Sequence, residues 1–552
     1  MVSVLEECDN VAAHFSADPV HDLRVALRRC RSVAAGMMAV DPDPEWKAMK
    51  KAGRRLFQRL GALRDVQVMM EWVETLFPKE TAARVLASAP GEALAVSNLA
   101  GNPVQLLLGI LRVRESEQKI EARLALTEFD RKQWRQWSQS LPLRASRIRP
   151  GSNLFKHLAL ESWTAARELH NRAMRNRSQV ALHALRIGIK RFRYIVENFL
   201  PVEHKLWSAD LKHMQDVLGE VHDLDVLWAT AMASHIFGDE ESRKSWHERI
   251  VKERSKRVEE YRAKMLGPNS PWVAWRSGLP QGKQIQEIAT QRMKFWAKAL
   301  DPDFAHSERV ARLAGELYDG LDALGVTVVG NRNGRTAESE IRPALLVAAL
   351  LHDVGKSRGN RGHHKTSLDL IKAHGTPLGW TAETMLRAGR VARFHSGALP
   401  ARNHKLLRDL LPDEQKITIL LVAILRLANA LDVTHDGVIR RLRVEKPMAQ
   451  ASTESRRSNG FLRKPPALKP NEALIVSAEG YVPGGAIGQA IAAQRYLLEM
   501  VLDRPVVVQA MKAAPSSTPQ RRVTSASPAR PARKKPAKKK ARPSPPPTSI
   551  RV

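Results

Sequence analysis

The stretch "HDLRVALRRCR" (residues 21–31) returns as "HALRIGIKRFR" (residues 183–193). His21, Arg24, Arg28, Arg29 and Arg31 match His183, Arg186, Lys190, Arg191 and Arg193 in type, position by position. On a helix turning about 100° per residue, the first, fourth, eighth and eleventh positions fall within about 80° of one another. His21, Arg24, Arg28 and Arg31 therefore make one cationic stripe. Leu23, Leu27 and Cys30 fall on the opposite side, as do Leu185, Ile189 and Phe192 in the second copy. A single basic helix is usually a solvated face. A merely solvated face lets its basic positions drift between copies, and here the charge returns at each of them.

Farther along each half lie "LGALRDVQV" (60–68) and "LGEVHDLDV" (218–226), aligning Gly61 with Gly219 and Asp65 with Asp223. Two copies of one stripe predict a pseudo-twofold basic groove, suited to a long anion whose charges repeat. Arginine is the better residue for bidentate phosphate contact, and Lys190 acts as a point charge. Asp65 and Asp223 read as carboxylates that pair with arginines and hold the helices in register. His21 and His183 read either as phosphate donors or as hydrogen-bonded core histidines.

The paired basic helices, each followed by the "LGxxxDxxV" pattern, closely resemble the CHAD domain over about residues 1–265. That resemblance implies an antiparallel helical-hairpin domain that binds inorganic polyphosphate through basic side chains facing a central groove. The groove residues would be His21, Arg24, Arg28, Arg31, His183, Arg186, Lys190 and Arg193. Arg54, Arg55 and Lys212 on the intervening helices join them, with Lys50 and Lys51 as further candidates.

The second half offers "HSERVARLAGELYDGL" (306–321), "ALLVAALLHDVGKS" (344–357), "RGHHKTS" (361–367), "ARFHSGALP" (392–400) and "LRLANALD" (425–432). One histidine on an apolar helix is usually a core histidine; an adjacent His352–Asp353 pair with further histidines before and after is not. Imidazole and carboxylate donors suit a divalent transition metal with open positions for water or a phosphoryl oxygen. Such an ion lowers the pKa of bound water and polarises phosphate.

The order of these residues resembles the HD phosphohydrolase superfamily. More closely, residues 284–510 resemble the C-terminal HD-like region of the exopolyphosphatase/guanosine pentaphosphate phosphatase (Ppx/GppA) family. The resemblance implies His306, His352 and Asp353 as metal ligands, with His364 and His395 for a second metal or for phosphate, and His363 as the alternative to His364. It implies a divalent metal cofactor (Mn, Mg, Fe or Zn), Asp353 and Lys356 as catalytic residues, and Lys365 as a further neutraliser of substrate phosphate. The actin-like catalytic domain of that family has no counterpart upstream, so its chemistry does not transfer. Asn429 stands where the HD pattern has Asp, and its neutral oxygen is expected to weaken the first metal. Asp432, one turn later, is not expected to replace it.

Lys and Arg total 89 against 57 Asp and Glu, a formal charge of +32, which points to a polyanionic partner. Cys8 and Cys30 are too few for a disulfide framework, which fits a cytoplasmic protein, on polyphosphate granules or the nucleoid. The apolar runs "PALLVAALL" and "ITILLVAIL" fall short of the roughly 20 residues that cross a bilayer, and the acidic start "MVSVLEECDN" is not expected to act as a signal peptide. The expected plan is mainly α. A CHAD domain occupies 1–266, a linker 267–283, an α-helical HD domain 284–440 and a small α/β part 441–511, followed by a disordered basic tail at 512–552. The expected function is polyphosphate binding with an HD-type phosphohydrolase-like module. One alternative is an active hydrolase of polyphosphate or a phosphorylated nucleotide. Another is histone-like binding of DNA or RNA through the tail by counterion release.

Overall fold

The computed structural model describes residues 1–13, 15–78, 102–326, 338–446 and 472–511. The basic tail at 512–552 lies outside the described residues, as does most of the "RRSNGFLRKPPALKPNE" stretch.

The first module is built of α1 (Val2–Ala13), α2 (Ala17–Met37), α3 (Pro44–Leu76), α4 (Pro103–Thr127), α5 (Arg131–Ala145), α6 (Asn153–Arg175), α7 (Gln179–Phe199), α8 (Pro201–Ala233), α9 (Glu240–Met265) and α10 (Pro271–Ser277). Local sequence sets the starts. Asp43 accepts from Glu45 N at 2.8 Å with Pro44 opening α3, and Ser178 Oγ accepts from Ala181 N at 3.3 Å at the start of α7. The repeat is visible as two hairpins, α2–α3 and α7–α8, joined by packing of α2 on α7 and of α3 on α8. Leu23, Leu27 and Cys30 of α2 and Leu185, Ile189 and Phe192 of α7 are buried in one core, leaving the basic stripes off that core. Each large apolar side chain so buried contributes about 1.5–3 kcal/mol.

The 267–283 stretch is not a linker. It carries α10, whose Trp272 and Trp275 are each 1% exposed within the first core, with Leu279 beside them. Its Gly, Pro, Asn and Ser residues signal a break, but two tryptophans in the following turn bury too much apolar surface to remain free.

The second module comprises α11 (Gln284–Leu300), α12 (Phe304–Ala323), α13 (Glu338–Leu351), a 3₁₀ turn (Val354–Arg358), α14 (His363–His374), α15 (Ala382–Arg393) and α16 (Pro412–Leu431). After these come β1 (Arg441–Glu445), β2 (Leu474–Glu479), α17 (Gly485–Leu502) and β3 (Val506–Ala510). The sheet order is β1-β2-β3, with Leu442 opposite Ala478 in the antiparallel pair and Val476 opposite Val508 in the parallel one. β2, α17 and β3 make up the small α/β part expected after the helical domain. β1, "RLRVE", gives little signal because only Leu442 of its five residues is buried. The apolar run of α16 is the centre of this second core, and among the described residues no helix is long and apolar enough to cross a membrane.

The modules share a contact between α6 and α11. Arg292 on α11 donates to Glu161 Oε2 at 2.6 Å and to Ala39 O at 3.1 Å, and buried His157 meets Leu378 O at 2.8 Å. Ile285, Phe295 and Leu378 pack against the first core.

Candidate functional site

Two charged centres result, one in each module. In the first, Arg24, Arg28 and Arg31 leave α2 toward α3 and α7. The guanidinium carbons of Arg24 and Arg31 lie 5.8 and 4.7 Å from the Phe57 ring centre, and that of Arg28 lies 5.5 Å from Tyr194. Aromatic faces hold a cation without cancelling its charge. Gly61 sits beneath Arg24, where a Cβ would come 3.9 Å from Nη2, and Gly219 sits beneath Arg186 in the same way, at 4.0 Å from Nε. The pseudo-symmetry thus extends to the glycine over which each arginine crosses.

Buried nitrogens of Arg24, Arg28, Arg31 and Arg186 have no hydrogen-bond partner. Arginine keeps its charge even in such surroundings, so unmatched donors of this kind are matched by an anion or remain costly. Burial, with Arg186, Arg28 and Arg24 close by, pushes the Lys190 ammonium down to about 8.

The two aspartates are not the register-holding pairs the repeat suggests. Among the described residues neither Asp65 nor Asp223 closes an ion pair. Burial pushes the Asp223 carboxyl up to about 6 against the pull of Arg186. Asp65 is open to solvent along one side, yet the protein around it raises its carboxyl against the pull of Arg24, Arg186 and Lys190. The carboxylates tune the groove at longer range instead of bolting its helices.

The remaining groove candidates divide. Arg54 is exposed near Arg31, and Lys50 is half-buried near Arg31 and Arg191. Lys51, Lys212 and His21 are exposed. Arg55 is ion-paired with Glu128, and Arg193 stands 3.9 Å from Glu197. His183 Nδ1 meets His222 Nδ1 at 3.2 Å, and burial together with Arg186, His183 and Lys190 holds His222 at about 4. His222, Phe57 and Tyr194 were not singled out from sequence. His222 has a usable signal, since it precedes Asp223 and aligns with Arg64 of the first copy.

In the second module His306, His352 and Asp353 bring ligand atoms within 4.8 Å of one another, and Asp353, His363 and His395 do the same. The shared carboxylate joins two clusters. His352 Nδ1 faces Ala349 O at 2.7 Å, His395 Nδ1 faces Ala392 O at 2.7 Å, His363 Nδ1 faces Asn360 O at 2.8 Å, and His306 Nδ1 faces Asp432 Oδ2 at 2.7 Å. With a cation bound, each contact would keep the proton on Nδ1 and turn the Nε2 lone pair to the ion. His352 Nε2 and Asp353 Oδ1 are buried without hydrogen-bond partners. The residues therefore fit a divalent metal.

Burial alone would raise the Asp353 carboxyl, but His352, His363 and His395 hold it well below the usual carboxylate range. Lys356 Nζ lies 2.5 Å from its Oδ2, while Lys365 is exposed. The alternative His363, and not His364, reaches Asp353, at 3.2 Å; His364 Nδ1 instead lies 3.3 Å from Ser396 Oγ. Gly355 makes this possible, since a Cβ there would stand 2.1 Å from His363 O. Ser367 Oγ accepts from Gly355 N at 2.9 Å and donates to His352 O at 2.7 Å, clamping α14 onto the turn.

Asn429 Oδ1 lies 2.9 Å from His306 Nε2, on the ligand side, whereas Asp432 grips the ring from behind and is itself held by Arg309 Nε at 2.9 Å. Asp432 thus supports His306 and does not take the place of the missing carboxylate.

The family model for the CHAD domain matches residues 3–231, and that for Ppx/GppA phosphatase, domain III, matches residues 290–469. The chain thus carries an N-terminal CHAD domain followed by a Ppx/GppA-like domain III. Together the two matches support a polyphosphate-related function. A search of curated proteins finds no match.

Proposed function

We propose that the chain binds inorganic polyphosphate along the groove of α2, α3, α7 and α8, and that its second module is a metal-dependent phosphohydrolase. The observation that carries the first part is the set of buried, unpartnered guanidinium nitrogens contributed by both repeats. A chain of phosphates supplies regularly spaced oxygens to such donors.

For the second part, a divalent ion held by His306, His352 and Asp353, with Asp353, His363 and His395 as a second group, supplies Lewis acidity for transfer of a phosphoryl group to water. The protein's own residues do the positioning. The Nδ1 contacts keep four imidazoles in one tautomer, and Asp353 stays ionised between the two clusters. Lys356 holds Oδ2 of that carboxylate and stands ready to neutralise phosphate oxygen.

Length-defined polyphosphate run on a gel with the full chain, with and without Mn²⁺ at physiological salt, tests both parts. Retardation without shortening supports binding and leaves the second module another phosphorylated substrate. Progressive shortening makes polyphosphate that substrate. Absence of both effects sinks the polyphosphate reading, and retardation of DNA in its place would favour the basic tail.

A further inference from the structure

The first ligand group has a neighbour that the metal reading does not use. His435 lies in the turn after α16 and contributes no atom to either ligand group. Its ring nevertheless stacks on that of His306, with 3.8 Å between centres and 8° between planes. Its backbone is left-handed, at φ +58°, a conformation that costs free energy for a residue with a Cβ.

The turn is closed from several sides. His435 N donates to Asp432 O at 3.0 Å, Arg309 Nη2 donates to His435 O at 2.8 Å, and Gly437 N donates to Asp432 Oδ1 at 3.2 Å. Across the turn His435 Nδ1 donates to Asp303 Oδ2 at 2.6 Å, while Asp303 Oδ1 accepts from His306 N at 3.3 Å. One carboxylate at the start of α12 therefore holds both the backbone of the ligand histidine and the ring laid on its face.

A partly exposed histidine beside an aspartate is often an ordinary surface ion pair. Such a pair needs neither a left-handed residue nor a stack. Like rings avoid the face-to-face sandwich and prefer offset or edge-on contact, as His306 and His352 show with 63° between their planes. The near-parallel contact with His435 becomes favourable when one ring is electron-poor, by the attraction that draws a cation to an aromatic face. A divalent ion on His306 Nε2 would make that ring electron-poor, and the Asp303 carboxylate makes the other more electron-rich.

We propose that His435 is a positioning residue for the first metal: its ring is a platform that fixes the plane of His306 and favours an ion on Nε2. The platform rests on the metal reading above, and its own failure is separable from the failure of that reading.

The test titrates Mn²⁺ calorimetrically into the full chain and records the visible spectrum of the chain loaded with Co²⁺. Asparagine accepts a left-handed backbone, so H435N removes the ring and keeps the turn, with folding checked by circular dichroism. H435N should weaken the first Mn²⁺ by roughly ten- to a hundredfold, as removal of an outer partner of a metal ligand does, and should shift the Co²⁺ bands. H435F keeps a ring face but loses the bond to Asp303, and should recover part of the affinity. Should H435F fail to fold, the Co²⁺ spectrum of H435N carries the test. Unchanged Mn²⁺ affinity with unchanged Co²⁺ bands in H435N, or a loss in folded H435F as large as in H435N, overturns the platform while the metal reading stands. A wild-type chain that takes up no Mn²⁺ overturns the metal reading, and the platform with it.

Discussion

The groove leaves nitrogens of Arg24, Arg28, Arg31 and Arg186 unpaired, whereas the second module ties the Nδ1 of His306, His352, His363 and His395 to a fixed acceptor. Both arrangements prepare a site for a charged ligand, by different means. Arginine keeps its proton in any surroundings, so aromatic faces and glycines that let it cross suffice to present it. Imidazole has two exchangeable nitrogens, so a cation site must first decide where the proton sits. Asp353 and Lys356 complete the contrast, because a single buried carboxylate organises one centre while Asp65 and Asp223 remain unpaired in the other.

The largest expected effect is that of Asp353→Ala, which removes the carboxylate common to both ligand groups. Mn²⁺ uptake by calorimetry and Mn²⁺-dependent turnover should both fall to background, and surviving turnover would place the chemistry elsewhere. Next is charge reversal of Arg24, Arg28, Arg186 and Arg193 together. It should abolish polyphosphate retardation, each guanidinium accounting for about 1.5–3 kcal/mol, while deletion of 512–552 only weakens it. The reverse pattern would make the tail the binder.

Gly355→Ala forces a Cβ onto His363 O and should cost about 1–3 kcal/mol in chemical denaturation, with the second Mn²⁺ weakened more than the first. Asp432→Asn, behind His306, should reduce affinity for the first Mn²⁺ by roughly 10–100-fold. Asn429→Asp should change it in the opposite direction; a weaker ion in that variant would show that the amide is no ligand.

The smallest effect is with pH. Asp223 gains its negative charge as pH rises through about 6, and Lys190 loses its positive charge as pH rises through about 8. Both changes disfavour an anion, so polyphosphate affinity should fall severalfold between these limits and beyond. D223N should flatten the lower part of that profile and K190R the upper part. A profile unmoved by either variant would remove both groups from the groove's electrostatics.

Much of this was legible without coordinates. The repeat of "HDLRVALRRCR" specified the two apolar faces and the two basic ones, because a helical period of 3.6 allows residue types to be assigned to sides. The adjacency of His352 and Asp353, and histidines at both flanks, marked the second centre. Order along the chain cannot say which of two adjacent imidazoles turns inward. That was decided by the close contact of Gly355 with α14, which sends His363 to Asp353 and His364 to Ser396.

The same limit explains the Asp65 and Asp223 expectation, where spacing put carboxylates near arginines but packing left the ion pairs open. It also explains Trp272 and Trp275, buried in a segment whose Pro and Gly content reads as a linker. By itself the sequence determined the class of each element and the type of charge it carries, because these follow from local periodicity and composition. The tertiary structure alone decided which nitrogens stay unpaired, which acceptor each Nδ1 meets and which of His363 and His364 reaches Asp353, because these depend on ångström-scale contacts between residues distant in the chain.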